Sequence, residues 1–427
     1  MAAIHRLSDS WRAGLDEAKD GGLKRNLRNT MAILARHPAW VGVIAWDDFT
    51  LQVVKRKRAP SNAGYCADEE SALGQWTAED TTNARVWMQS ETGIEPNEGM
   101  VEQAVSAIAK AHRYHPVREW LRSLRWDGTE RLDTLCAKYF GADDTIYAAA
   151  VGSKWLISAV ARVMHPGCKV DTMTVFEGLQ GAGKSSGLQA LVGADWFSDS
   201  KLEIGDKDGY QNLRGKLVIE IAELASFGGR QQESIKAYTS SQSDTYRPSY
   251  GRHTVTVKRQ TIFAGTTNAD TYLGDSTGAR RFWPVRCRQV DVGGLRADRE
   301  QLWAEAVQRF DAGASWWLDD AETIREAVEQ QELRQEQDPW LSLIQSSLER
   351  APVELTTDWI LSSVLDLSPS ERNHGHIIRI GKCLKQLGFT HTQLRSGPKR
   401  GQRIYTGTVP ATVPIGQVNL PLGTVEQ

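Results

Sequence analysis

The sequence predicts an α/β protein built around a parallel sheet, with a mixed α/β unit in front and a small helix-and-hairpin unit behind. Three observations predict this. Between about 171 and 286, short apolar runs alternate with glycine loops and helix-compatible segments, as strand–helix crossovers require. Within that stretch, DTMTVFEGLQGAGKSSGLQALV (171–192) sets Gly178-x-x-x-x-Gly183-Lys184-Ser185 between an apolar strand and a helix. Near the end, LTTDWILSSVLDL, HGHIIRIGKCLKQLG and TQLRSGPKRGQRIYTG read as helix, helix and glycine-tipped hairpin.

Taken in order, residues 1–113 form an N-terminal α/β domain. LRNTMAILARH reads as a helix, WVGVIAWDDFTLQVV as strand material with the carboxylates of WDDF in a turn, and NARVWMQSETG and MVEQAVSAIAKAHR as helices. Residues 114–318 are the core domain, led by the helical runs HPVREWLRSL, RLDTLCAKYF and YAAAVGSKWLISAVARVM. Residues 319–338 are charged on nearly every face and predict a solvent-exposed connecting helix. Residues 339–405 make the small C-terminal unit, and 406–427 lack periodicity and are expected to be disordered.

Composition narrows the function classes. A chain of 427 residues, 40% hydrophobic and 24% charged, has the profile of a globular protein of two or three domains. A net charge of −2 gives no global attraction to nucleic acid, so any such binding must come from local patches. The five cysteines are scattered without a CxxC, which argues against a zinc cluster or disulfide framework and fits a reducing cytosol. The most apolar run, WLISAVARVM (155–164), is too short for a bilayer and contains Arg162, and the start has no apolar core of signal-peptide length. A soluble cytoplasmic protein without a membrane partner is expected.

The glycine loop carries the strongest chemistry. Gly178, Gly181, Ala182 and Gly183 allow successive backbone N–H groups to turn onto a triphosphate at the positive end of the following helix, which Ser186 helps to open. Lys184 would bridge the β and γ phosphates, and Ser185 would place its hydroxyl on Mg²⁺. No guanine-reading NKxD is present, so ATP is the expected nucleotide. KLVIEIAE (216–223) then offers Glu220 and Glu223: one for the Mg²⁺ shell, with Ser185 and Glu220 the candidate ligands, and one to polarise water. Which of the two is the base stays open. QTIFAGTTN ends in Asn268, placed to orient the attacking water. STGARRFWPV holds Arg280 and Arg281 against an aromatic run, awaiting a planar anion: a phosphate in the same subunit, a neighbour's γ phosphate, or the carboxylates of Asp270 or Asp275.

Two basic surfaces suit DNA. Between Thr245 and Ala269 there is no acid, while Arg247, Arg252, His253, Lys258 and Arg259 cluster on YRPSYGRHTVTVKRQ, which reads as a hairpin. Cations repeated on such loops could follow a single strand without reading its bases. In the C-terminal unit, Ile377, Ile380, Leu384 and Leu387 share a helix face, and Lys399 and Arg400 sit at the hairpin tip. Helix, helix and basic wing resembles a winged-helix module, which would contact duplex DNA.

Together YHPVREWLRSLRWDGTERLDTL, KWLISAVARVMHPGCKVDTMTVFEGLQGAGKSS, VIEIAEL, SDTYRPSYGRHTVTVKRQTIFAGTTN and TGARRFWPV, covering roughly 114–290, resemble the virulence-associated protein E family. These are P-loop ATPases of phages and mobile elements related to superfamily 3 helicases and AAA+ ring proteins. The resemblance implies an AAA+-like core and a hexameric, DNA-translocating ATPase. It matches Lys184 and Ser185 to Walker A, Glu220 and Glu223 to Walker B, Asn268 to sensor 1, and Arg280 or Arg281 to an arginine finger acting across a subunit interface. It also implies that the basic hairpin points into the ring channel. Many relatives carry a primase in front; the 113 residues here are too few for one, so a separate primase or replication initiator is the expected partner. A P-loop kinase acting on a small molecule would leave the basic hairpin without a role. An ATP-switched DNA-binding regulator or loader that does not unwind DNA is the main alternative.

Overall fold

A computed structural model of the chain describes residues 10–61, 72–200, 207–227, 229–247, 254–274, 278–335, 338–348, 355–393 and 403–407. The chain divides into two compact units, Met1–Gln335 and Glu336–Gln427.

The first unit begins with α1 (Leu27–Arg36), whose N-cap Asn26 accepts from the Asn29 N–H, and a sheet of order β3-β2-β1-β4. Its strands are β1 (Ile44–Asp47), β2 (Gln52–Lys55), β3 (Gly74–Gln75) and β4 (Arg113–Tyr114), with α2 (Ala78–Thr92) and α3 (Glu98–Ala111) between β3 and β4. WDDF is only half a turn: Trp46 and Asp47 close β1, and the expected turn starts at Asp48. Asp47 accepts from the N–H groups of Phe49 and Thr50, and Asp48 pairs with Arg113. This sheet is not isolated from the core that follows. Phe49 lies in the main apolar cluster, its carbonyl accepts from Gly215 N, and Gln260 donates to the Asp48 carbonyl.

Residues 116–335 supply α4 (Pro116–Ser123), α5 (Ile146–Met164) and a five-stranded sheet of order β11-β5-β10-β7-β6. Every pairing in it is parallel: β5 (Met173–Glu177), β6 (Phe197–Ser198), β7 (Val218–Ile221), β10 (Ile262–Thr267) and β11 (Phe282–Arg286). The central strands are apolar runs because both sheet faces are covered. One face meets α5, α6 (Lys184–Val192) and α8 (Val292–Asp311); the other meets α7 (Gly229–Ser240), Leu213 and Leu224. Helix α5 is long and apolar enough to cross a membrane, yet it is mostly buried in this core, with Arg162 donating to the carbonyls of Val170 and Ser241. Between β7 and β10, β8 (Ser243–Tyr246) and β9 (Val255–Lys258) pair antiparallel as the expected hairpin.

The segment expected to be a solvent-exposed connector is a packed helix. In α9 (Ala321–Leu333), Thr323, Ala327 and Gln331 are buried, and Gln331 donates to the Phe282 carbonyl at 3.0 Å. Small and polar residues at three-to-four spacing make this face, so its hydropathy hides that it is a contact surface.

In the second unit α10 (Pro339–Ser347), α11 (Thr357–Trp359, continuing through a π turn, Ile360–Val364) and α12 (His374–Gln386) join an antiparallel sheet. Its order is β12-β14-β13, from β12 (Leu355–Thr356), β13 (Thr390–Gln393) and β14 (Arg403–Thr406). Thr356 caps α11 by accepting from Trp359 N, and Ile380, Leu384 and Leu387 are buried with Ile344, Ile360 and Tyr405.

Candidate nucleotide site

Strand β5 delivers the glycine loop to the C-terminal edge of the sheet. Gly178 has φ +147°, and a Cβ there would lie 2.3 Å from the Cys287 carbonyl oxygen, so only glycine fits. Gly181 and Gly183, at φ +80° and +90°, turn the chain into α6, which starts at Lys184. The segment after β11 clamps this loop from outside: Cys287 N donates to Glu177 O at 2.7 Å and Val290 N to Ala182 O at 3.0 Å.

The predicted chemical residues come together here. Lys184 Nζ donates to the carbonyls of Gly178 (2.7 Å) and Leu179 (2.9 Å) and to Asn268 Oδ1 (2.9 Å). Burial pulls its pKa below the ordinary lysine value. Ser185 Oγ donates to Glu220 Oε1 at 2.7 Å, and Thr266 Oγ1 donates to the same oxygen at 2.5 Å. Glu220 Oε2 is buried and, among the described residues, has no hydrogen-bond partner. A carboxylate oxygen orphaned beside a serine hydroxyl at this glycine loop fits a divalent cation, which would satisfy it. Glu223 is exposed, sits at φ +53° and accepts from Asn268 Nδ2 at 3.4 Å. A non-glycine residue held in the left-handed region beside these groups is the kind of strain that gathers at functional sites. Ser186 is exposed on the first turn of α6.

Strand order explains the convergence. β10 lies between β5 and β7, so Asn268 leaves the sheet between the glycine loop and the acid-bearing strand. Two partners have only a faint trace in the sequence. Thr266 is a polar residue two before Asn268 whose hydroxyl fixes Glu220. Arg334, at the end of α9, places its Nε 3.0 Å from both oxygens of buried Glu177, with a second, closer bond from Nη2. Tyr272 OH adds a 3.0 Å bond to Glu177, and the Arg334 carbonyl accepts from the N–H groups of Tyr272 and Leu273. Arg334 thus ties the root of the glycine loop to the chain just beyond Asn268, across a sequence distance that no local pattern reveals.

The arginine pair lies elsewhere. β11 and β5 run parallel with Phe282 opposite Met173 and Arg286 opposite Glu177. Arg281 is therefore level with residue 172, at the opposite end of the sheet from Gly178, about 20 Å away at ~3.3 Å per residue. Arg280 is exposed, and Arg281 Nε donates to Ser240 Oγ at 3.0 Å. This register keeps both arginines away from the glycine loop of their own chain. Asp270 pairs with Arg286 rather than with either arginine, and Asp275 lies outside the described residues.

The basic set is corrected at one position. Arg247 and Lys258 are exposed on the hairpin, but Arg259 is buried. It forms a two-pronged ion pair with Asp244, donates to the Tyr238 carbonyl and stacks on the Tyr238 ring at 4.5 Å. Asp244, one residue before the acid-free window, is what turns this cation inward, so Arg259 is a staple of the hairpin root and not a DNA contact. Arg252, His253, Lys399 and Arg400 lie outside the described residues. Among the described residues no cluster of three or more His, Cys, Asp or Glu could hold a metal alone.

No curated protein matches the chain. Among solved structures it is similar to the A-form apo structure of the NrS-1 C-terminal region, at 15% identity over 67% of this chain and 78% of that one, with a TM-score of 0.41. Two further structures of that region, spanning its residues 305–718, match at 14% and 13% identity, covering 85% and 84% of this chain and 96% and 95% of theirs, with TM-scores of 0.43 and 0.45. The model of the virulence-associated protein E-like domain matches residues 121–336, just over half of the chain, and ends one residue past the first compact unit. The chain belongs to the virulence-associated protein E-like family.

Proposed function

We propose that this chain is an ATP-hydrolysing motor, a helicase or translocase acting on the DNA of replicating phages or mobile elements, whose active site is completed by a second copy. The observation that carries the hydrolytic part is Glu220: one oxygen held by Ser185 and Thr266, the other buried beside the glycine loop without a partner among the described residues. Lys184 would exchange the Gly178 and Leu179 carbonyls for the β and γ phosphates of ATP. Ser185 and Glu220 would hold Mg²⁺, which supplies positive charge to the phosphates during transfer. Glu223 is exposed and next to Asn268, and so suits the water-polarising role, with Asn268 orienting that water. Arg280 or Arg281, remote from its own loop, would neutralise the γ phosphate bound by a neighbour; head-to-tail contacts of this kind close into a ring when their rotation permits, and the family resemblance implies a hexamer. The basic hairpin β8–β9 would follow single-stranded DNA, and the C-terminal unit, with two helices before a hairpin as in a winged helix, would hold duplex.

A strand-displacement assay, run with ATP hydrolysis measured with and without single-stranded DNA, tests this reading. DNA-stimulated turnover and displacement, both abolished in Lys184→Ala, are expected. Nucleotide-dependent DNA binding without displacement would instead support an ATP-switched regulator or loader.

A further inference from the structure

Arg334 and Glu177 form a buried ion pair that the proposed chemistry does not use. The guanidinium meets the carboxylate through both Nε and Nη2, and its Nη1 donates to Gln330 Oε1 at 2.6 Å. Desolvation offsets much of the attraction in such a pair, so what the two-pronged contact secures is geometry. The geometry it secures is that of the chain beyond Asn268. The Arg334 carbonyl accepts from Tyr272 N at 3.0 Å and Leu273 N at 2.9 Å, and Leu273 bridges to Gln335. Tyr272 OH donates to Glu177, while Gln232 binds the Tyr272 carbonyl at 2.6 Å and the Gly274 N–H at 3.0 Å.

Residues 268–273 are therefore pinned at both ends, at Tyr272 and Leu273 by Arg334 and at Asn268 by Lys184. The Lys184 pin is the one that ATP removes. Its ammonium has three protons, and the carbonyls of Gly178 and Leu179 and Asn268 Oδ1 already take them, so it must release acceptors to reach phosphates. Asn268 is then left between β10, which ends at Thr267, and the anchor at Tyr272 and Leu273, with Glu223 reached only at 3.4 Å. We infer that Arg334 is a positioning residue for hydrolysis: it holds Asn268 in place once Lys184 has turned to bound phosphates. Glu177 is the fixed point, and because it immediately precedes Gly178, the glycine loop and Asn268 are set from one place. A displacement of about 1 Å in a group that orients the attacking water can cost roughly 10²-fold in rate. This rests on the ATP-hydrolysing reading above and adds a residue, away from the phosphates, on which turnover depends.

The test uses the full chain carrying Arg334→Ala, and Arg334→Lys in case the alanine variant fails to fold, each studied well below its melting temperature. Affinity for a fluorescent ATP analogue with Mg²⁺ should stay within about threefold of wild type, while kcat falls at least tenfold in Arg334→Ala. Arg334→Lys should recover part of that loss, since it keeps the charge without the two-pronged contact. Adding Glu177→Gln to Arg334→Ala should slow turnover no further, as expected of two residues acting as one unit. Hydrogen–deuterium exchange gives a readout independent of turnover. With Mg²⁺ and a non-hydrolysable analogue bound, residues 268–274 should stay protected in the wild type and lose protection in both Arg334 variants. Variants that only melt earlier, with kcat and exchange like wild type, make the pair structural and overturn the inference. Variants that lose analogue binding overturn it too, because the pair would then shape the glycine loop itself. Both outcomes leave the proposed function standing. A wild type that binds the analogue and hydrolyses no ATP overturns the proposed function instead; the exchange then decides the inference, and unchanged protection in the variants overturns it. A wild type that binds no nucleotide overturns both.

Discussion

Glu220 leaves one buried oxygen without a partner among the described residues, a desolvation cost of order 1–3 kcal/mol that a bound cation would offset. The two glutamates should therefore fail differently. Glu220→Gln is expected to raise the Mg²⁺ concentration needed for half-maximal hydrolysis, because it removes a charged ligand. Glu223→Gln should bind ATP and Mg²⁺ normally yet hydrolyse roughly 10²–10⁴-fold more slowly, as loss of a general base does. Titrating Mg²⁺ at saturating ATP for both variants checks this, and an inverted pattern would exchange their roles. At Gly178 a single methyl group would meet the Cys287 carbonyl at 2.3 Å, so Gly178→Ala should lose nucleotide binding even where the chain still folds. Equilibrium binding of a fluorescent analogue, with circular dichroism as the folding control, measures it.

Neighbouring cations on the hairpin separate into two kinds. Lys258 is exposed and Arg259 is locked against Asp244. Breaking a buried pair from one side leaves a charge stranded, so Arg259→Ala should destabilise the first unit by about 3–5 kcal/mol in urea unfolding. Lys258→Ala should stay within about 0.5 kcal/mol of wild type. It should instead weaken single-stranded DNA binding and lower the slope of log affinity against log salt by about one. The junction of β4 and α4 carries a pH dependence. His115 accepts from Arg118 N through Nδ1 and meets Gln260 Oε1 at 2.6 Å through Nε2, an arrangement that needs the neutral ring. Burial holds its pKa below the ordinary value. The unfolded chain then takes up the proton first, so His115 contributes stability that is present above the unfolded pKa near 6.5 and drains away as pH falls through the lower folded value. Melting temperature should drop between about pH 7 and 5, and His115→Gln should flatten that part of the profile.

Across the whole molecule, the separation of Arg281 from Gly178 gives the proposed function a direct test, cooperation between copies. A Lys184→Ala chain has a dead glycine loop and intact arginines; an Arg281→Ala chain has the reverse. Mixed in one assembly, some interfaces pair an intact loop with an intact arginine, so hydrolysis should partly return although each variant alone is inactive. Arg280→Ala is measured in parallel, since Arg281 is also engaged by Ser240 and one of the pair can serve only as a brace. Specific activity of the wild type should rise with protein concentration until assembly is complete. Mixed oligomers that form without recovering any hydrolysis would make both arginines structural.

The sequence by itself determined what local chemistry can encode. The glycine spacing, the strand before it and the helix after it suffice for the strand, glycine turn and helix seen at 173–192, because backbone conformation and helix polarity are set within a dozen residues. The alternation around Pro248 and Gly251 was enough for the β8–β9 pairing, and the apolar face of α12 for its burial. Tertiary structure decided what depends on partners distant in the chain. Whether Arg259 met DNA or protein turned on Asp244 and Tyr238, and whether 321–333 was a connector or a packed element turned on β11. Arg334 reached Glu177 across 157 positions. The parallel register of β11 on β5 placed the arginines at the opposite end of the sheet from their own glycine loop. Charge, size and spacing are written along the chain, but which charge meets which is settled only when strand order brings the ends of β5, β7 and β10 to one edge.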